Sequence, residues 1–136
     1  MIQVTVWNEY LHEREHPEIA AVYPEGIHGC IRSFLEKAGL GVKTATLDMA
    51  EHGLTQQVLD DTDVLVWWAH VAHDRVPDEI AMRVKQAVLK GMGFIALHSA
   101  HQCKPLQMLL GTSGALKWRE DDRSRVWCTC PTHPIA

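Results

Sequence analysis

The stretch Val64-Leu65-Val66-Trp67-Trp68-Ala69-His70 decides the architecture. Thr62-Asp63 lead into six consecutive apolar residues, and His70, His73 and Asp74 follow. A short run with no polar face fits a strand covered on both sides, as in a parallel sheet. Gly93-Phe94-Ile95-Ala96-Leu97 reads as a second buried strand of this kind. Between them Pro77, Asp78 and Glu79 open a helix that carries Ile80, Val84, Ala87 and Val88 as far as Gly91. Proline suits the first helical position and acidic residues suit the positive N-terminal end.

The same alternation extends toward the N-terminus. Residues 2–7 alternate as a strand, and residues 42–47 (Val-Lys-Thr-Ala-Thr-Leu) do so again. A helix is expected from Pro24 and Glu25, with Ile27, Ile31, Phe34, Leu35 and Ala38 at helical spacing and Gly39 as its stop. The segment 8–23, with His12, Glu13, Glu15, His16 and Pro17, reads as polar and irregular. A short helix is expected over 54–60 and a further one over 102–110, ending near Gly111. The order β-α-β-α-β-α-β-α predicts an α/β fold, a doubly wound, mostly parallel sheet with helices on both faces. Beyond residue 115 the pattern breaks. Lys117-Trp118-Arg119 and Val126-Trp127-Cys128 read as short strands, with Asp121-Asp122-Arg123 as the turn between them.

Composition narrows the function classes. The chain has 136 residues, one domain's length, with 46% hydrophobic and 22% charged residues. The apolar content excludes disorder, and no run approaches the length of a membrane span. The net charge of −4, with no basic face, argues against nucleic acid as a partner. The start of the chain lacks the basic and apolar regions of a signal peptide, so a cytoplasmic location is the default expectation. The four cysteines, Cys30, Cys103, Cys128 and Cys130, lack the spacing of a zinc ribbon or a disulfide framework. They read as reduced structural thiols. The Cys128-x-Cys130 pair, if in a strand, would place both sulfurs on one face, a weak pointer to a redox or metal pair.

Nine histidines are the abnormal number. In open α/β sheets ligands bind beyond the carboxyl ends of the strands. Asn8, Glu9 and Tyr10 follow the first strand, and His70, His73 and Asp74 follow the Trp67-Trp68 strand. His98, Ser99 and His101 follow the Phe94–Leu97 strand, and His28 lies in the first turns of the first helix. Each histidine alone reads as a loop residue or a hydrogen-bonded core residue, but gathered at one edge they read as a site. Glu9, His70, His98 and His101 are the expected catalytic groups, because imidazoles titrate near neutrality and suit proton transfer. Asn8, Tyr10, His28, Ser99 and Trp68 are the expected substrate contacts. His70, His73, His98 and His101 are also candidate ligands of zinc or another divalent metal. His12 and His16 read as a solvated loop or a lid, and His52 and His133 as surface. The tryptophans could stack on sugar rings, although at least one of Trp67 and Trp68 is expected in the core and Trp118 and Trp127 at the surface. No phosphate-binding glycine loop and no G-x-S-x-G elbow occurs.

The strings Val6-Trp7-Asn8-Glu9-Tyr10, Tyr23-Pro24-Glu25-Gly26-Ile27-His28-Gly29 and Trp67-Trp68-Ala69-His70-Val71-Ala72-His73-Asp74 occur in that order. They are followed by Leu97-His98-Ser99-Ala100-His101, Gly111-Thr112-Ser113, Leu116-Lys117-Trp118-Arg119-Glu120 and Pro131-Thr132-His133-Pro134-Ile135-Ala136. Together the chain resembles the ThuA-like trehalose-utilisation family. The resemblance implies a flavodoxin-like sheet of the class I glutamine amidotransferase-like superfamily. Amidotransferases of that superfamily carry a nucleophilic cysteine at a strand-to-helix turn, where this chain has His98, and Cys103 falls five residues too late. Glutamine hydrolysis is therefore not expected. Ser99 stands one position off, without a clear base and orienting group.

The resemblance further implies catabolism of trehalose or related disaccharides, with oxidised (3-keto) sugars as the substrate class. An isomerase, hydratase or lyase-like step on a keto-sugar is the expected chemistry, with a small sugar as partner. The other reading is a non-catalytic binding or structural module on the same scaffold. The family pattern is longer, so a single domain over 1–136 lacking its C-terminal part is expected. An open sheet edge near residues 117 and 127 would then favour self-association into a homo-oligomer.

Overall fold

The computed structural model describes residues 1–135. Its sheet has four strands in the order β2-β1-β3-β4, where β1 is Gln3–Asn8, β2 Gly41–Thr46, β3 Val64–Trp68 and β4 Gly93–Ala96. Every pairing is parallel, with Val6 opposite Thr44 on one side and Val66 on the other. The helices are α1 (His12–Glu15), α2 (Pro17–Val22), α3 (Gly26–Lys37), α4 (Gln56–Asp60), α5 (Asp78–Leu89) and α6 (Lys104–Leu110). This is the doubly wound α/β arrangement expected from the apolar runs, of the flavodoxin-like kind that the resemblance implies.

The strands sort their side chains by alternation. Trp7, Leu65 and Trp67 point to one face, where they pack with Leu59 of α4 and Ile80 and Val84 of α5. The rings of Trp7 and Trp67 stack at 3.9 Å between centroids. Val4, Val6 and Val66 point to the other face, against Ile31 of α3. The chain leaves β1 for β2 on one side and returns to β3 on the other. The carboxyl ends of β1 and β3 are thus the point where the winding reverses, and a crevice opens there in folds of this kind.

Three expectations are corrected. The segment 8–23 is not irregular but forms α1 and α2, which meet at an extended His16 because Pro17 disfavours helical backbone in the residue before it. The helix expected from Pro24 begins at Gly26, whose φ of +74° makes the turn into it. The helix expected over 102–110 is α6 from Lys104, preceded by a tight 3₁₀ turn over His98–Gln102.

The strands expected at 117–119 and 126–128 do not form. From Gly111 to Ile135 the described chain has no helix or strand, and Trp118, Val126 and Trp127 are exposed. Alternation alone does not make a strand: its backbone groups need a neighbour to pair with. Cys128 and Cys130 accordingly share no strand face, and both are exposed free thiols, as is Cys30. Only Cys103 is buried, so the reading of all four as structural thiols narrows to that residue.

Candidate functional site at the carboxyl ends of β1 and β3

The β1 and β3 ends are joined first by backbone: the Glu9 N–H donates to the carbonyl of Trp68 at 3.2 Å. The Glu9 side chain is 1% exposed, yet its charge is satisfied. Val71 N donates to its Oε1 at 3.1 Å and Ala72 N donates to its Oε2 at 3.0 Å. A buried carboxylate is tolerated only with such donors. Glu9 thereby pins the loop after β3 onto β1, and the imidazoles of that loop take their places from it.

On this carboxylate stands a chain of two imidazoles. His12 Nδ1 lies 3.6 Å from Glu9 Oε1, and His12 Nε2 lies 2.9 Å from His70 Nδ1. His12 Nδ1 makes no hydrogen bond at that distance, but the carboxylate on that side of the ring favours a proton there, which leaves Nε2 as an acceptor. His70 then donates from Nδ1, and its Nε2 carries a free lone pair. His70 is exposed, so that lone pair can meet a ligand. Trp68 stands edge-on to the His12 ring at 5.8 Å.

A second group lies on the α3 side. Asn8 is fully buried, its Nδ2 donating to Glu13 Oε1 at 2.7 Å and to His28 Nδ1 at 3.0 Å. Its Oδ1 accepts from Tyr10 N at 2.8 Å, which fixes the orientation of the amide. Because His28 accepts at Nδ1, its neutral form carries the proton on Nε2. Glu13 is also buried and accepts from Ile27 N at 2.7 Å, a carboxylate at the positive end of α3. Gly26 is required here: a side chain would bring a Cβ to 2.5 Å from His28 Cε1 and 2.8 Å from Tyr10 Cε2. Tyr10 itself has a φ of +53°, a backbone region uncommon outside glycine. Burial holds the pKa of His28 below its ordinary value, against the pull of Glu13.

A third group follows β4. His101 Nδ1 donates to the carbonyl of Gly114 at 2.6 Å, so its Nε2 too is an acceptor in the neutral form. The Trp118 ring lies 6.3 Å from His98 and 6.3 Å from His101. His73, 6.3 Å from His101 between ring centroids, connects this group to the first, since Glu9 and His70 both act on its charge. Burial lowers the pKa of His73, more than the Glu9 carboxylate raises it. Ser99 is half-buried in the His98–Gln102 turn.

The structure thus brings Glu9, His70 and Trp68 together, with His98 and His101 in a neighbouring group. It revises two roles. Asn8 is wholly engaged internally and positions His28 and Tyr10 rather than meeting a ligand. Glu9 is likewise enclosed, with His12 between it and the exposed His70. Among the described residues no three His, Cys, Asp or Glu side chains gather so as to hold a metal ion. His70 turns its Nδ1 to His12 and His101 turns its Nδ1 to Gly114, so His70, His73, His98 and His101 do not converge on one point.

Two residues escaped the sequence reading. His12 and Glu13 stood in a segment taken as solvated, and their adjacency to Glu9 was the available signal. His52, taken as surface, is structural: its ring Nδ1 donates to the carbonyl of Leu47, and its own carbonyl accepts from Trp7 Nε1 at 3.1 Å.

A doubly wound parallel sheet with a polar cluster at its winding reversal defines a flavodoxin-like α/β protein with a candidate site at the β1/β3 edge. Within that class, the family model for trehalose utilisation, ThuA, matches residues 3–136, and the chain belongs to this family. Comparison with curated proteins gave no match. No described helix is long and apolar enough to cross a membrane.

Proposed function

We propose that the chain is a cytoplasmic enzyme of trehalose or related disaccharide catabolism that moves a proton beside the carbonyl of an oxidised, 3-keto sugar. The observation that carries this reading is the line Glu9–His12–His70, which presents His70 Nε2 outward as a base oriented by a buried carboxylate. In the step, His70 Nε2 takes the proton from the carbon next to the carbonyl. The electron pair of that C–H bond becomes a carbon–carbon double bond, and the carbonyl π pair moves to oxygen. The oxygen so charged can take the proton of the hydroxyl on the neighbouring carbon, and return of the proton from His70 to either carbon of the enediolate then gives back the substrate or its isomer, with no external oxidant or reductant. His28, with its proton on Nε2, is a donor suited to a sugar oxygen, and Tyr10 beside it at 4.8 Å between rings shapes that side. General base catalysis of this kind contributes about 10²–10⁴-fold.

Glutamine hydrolysis does not belong to the reading. His98 occupies the turn after β4, and burial pushes the Cys103 thiol up to about 11, far from a nucleophilic thiolate. Turnover of 3-keto-trehalose across pH 5 to 8 tests the proposal. A rate that falls as an imidazole protonates, and is lost in His70→Ala, supports it. Binding of the sugar without turnover would instead favour a non-catalytic binding module.

A further inference from the structure

Beyond α6 the chain doubles back over the site instead of leaving it. Gln107 Nε2 donates to the carbonyl of Ser113 at 2.7 Å, and His101 Nδ1 donates to the carbonyl of Gly114 at 2.6 Å. Gly114 has a φ of +64°, and a side chain there would overlap the carbonyl oxygen of His101. The crossing therefore depends on glycine, and it sets down Trp118 beside His98 and His101. Trp118 is 71% exposed, so a large aromatic face stands open next to two imidazoles with nothing covering it.

An exposed indole beside polar groups is the arrangement that receives a sugar ring, whose axial C–H bonds form an apolar face and whose rim carries hydroxyls. We infer that Trp118, held by the Gly114–His101 latch, is a saccharide-binding residue that stacks on one ring of the disaccharide. His98 and His101 meet the hydroxyls at the edge of that ring. This inference rests on the proposed sugar chemistry and adds to it a second ring contact, beside His98 and His101. Trp118 governs which disaccharides bind, and His70 acts on the ring that reacts.

The test is titration calorimetry of the whole chain with trehalose and with 3-keto-trehalose, together with KM and kcat for the latter. The variants are Trp118→Ala, Trp118→Tyr, Gly114→Ala and Trp127→Ala. Trp127 is equally exposed on the same tail but stands outside the three groups of the site, so its variant controls for tail effects. The expected result is a rise in Kd and KM of about tenfold for Trp118→Ala with kcat little changed. Trp118→Tyr restores most of the affinity, Gly114→Ala weakens it by displacing an unaltered indole, and Trp127→Ala binds normally. Sugar binding by Trp118→Ala equal to that of the unaltered chain overturns the inference and leaves the proposed function standing. Equal losses in Trp118→Ala and Trp127→Ala also overturn it, since the tail would then act without regard to position. An unaltered chain that binds neither sugar overturns both.

Discussion

His12 Nε2 lies 2.9 Å from His70 Nδ1, and the other nitrogen of His12 faces the buried Glu9 carboxylate. His12 thus stands between the exposed imidazole and a carboxylate that no ligand can reach. If His12 is a positioning residue, His12→Ala lowers kcat by about 10- to 100-fold with KM nearly unchanged, and His12→Gln, which keeps a polar tip near His70, recovers part of the rate. Equal loss of binding and turnover in His12→Ala would point to a collapsed site instead.

Asn8 ties β1 to α1, α3 and the Tyr10 turn through a single amide. Asn8→Ala leaves the buried Glu13 and the half-buried His28 without that partner. The expected cost is about 1–3 kcal/mol in urea unfolding, with an unchanged m-value. Asn8→Asp is expected to be at least as harmful, because it sets a second carboxyl against Glu13.

His28 and His73 are both held below their ordinary pKa of 6.5 by burial. Below that value the unfolded chain binds protons that the folded chain resists. Stability is therefore full above about pH 6.5 and falls as the pH drops toward the folded-state values. Thermal unfolding between pH 8 and 5 should show Tm declining through the lower part of this range. A double variant His28→Gln and His73→Gln should flatten the decline.

The thiols divide by burial. A thiol reagent at pH 8 should label Cys30, Cys128 and Cys130 in the folded chain within minutes, and Cys103 only on unfolding. Cys103 is 1% exposed and its pKa is raised to about 11, so fast labelling of it in the native state would contradict the packing described.

The fold was legible because the central strands β1 and β3 are buried on both faces; β4, expected to be buried as well, is an edge strand that leaves Ile95 half exposed. Val64–Trp68 and Gly93–Ala96 lack a polar alternation that could have hidden them, and Pro77 and Gly91 punctuate the helix between. Site residues that sit directly at strand ends, Glu9, His70 and His98, were legible for the same reason. His12 and Glu13 were not, because their burial comes from α1 folding back over the β1 end, a tertiary event without a local signal. Nor could spacing show that Asn8 points inward while Tyr10 turns, since this depends on the positive φ of Tyr10. The tail misled in the opposite way: Val126-Trp127-Cys128 has strand-forming residues but no strand beside it.

The most direct measurement is hydrogen exchange at the carbons flanking the carbonyl of 3-keto-trehalose, followed by NMR in deuterated water. It reads the proton step itself, independently of what product is released. The account predicts that the unaltered chain speeds deuterium incorporation over buffer and that His70→Ala loses about 10²–10⁴-fold of the acceleration. Exchange no faster than in buffer, or as fast in His70→Ala as in the unaltered chain, would contradict it.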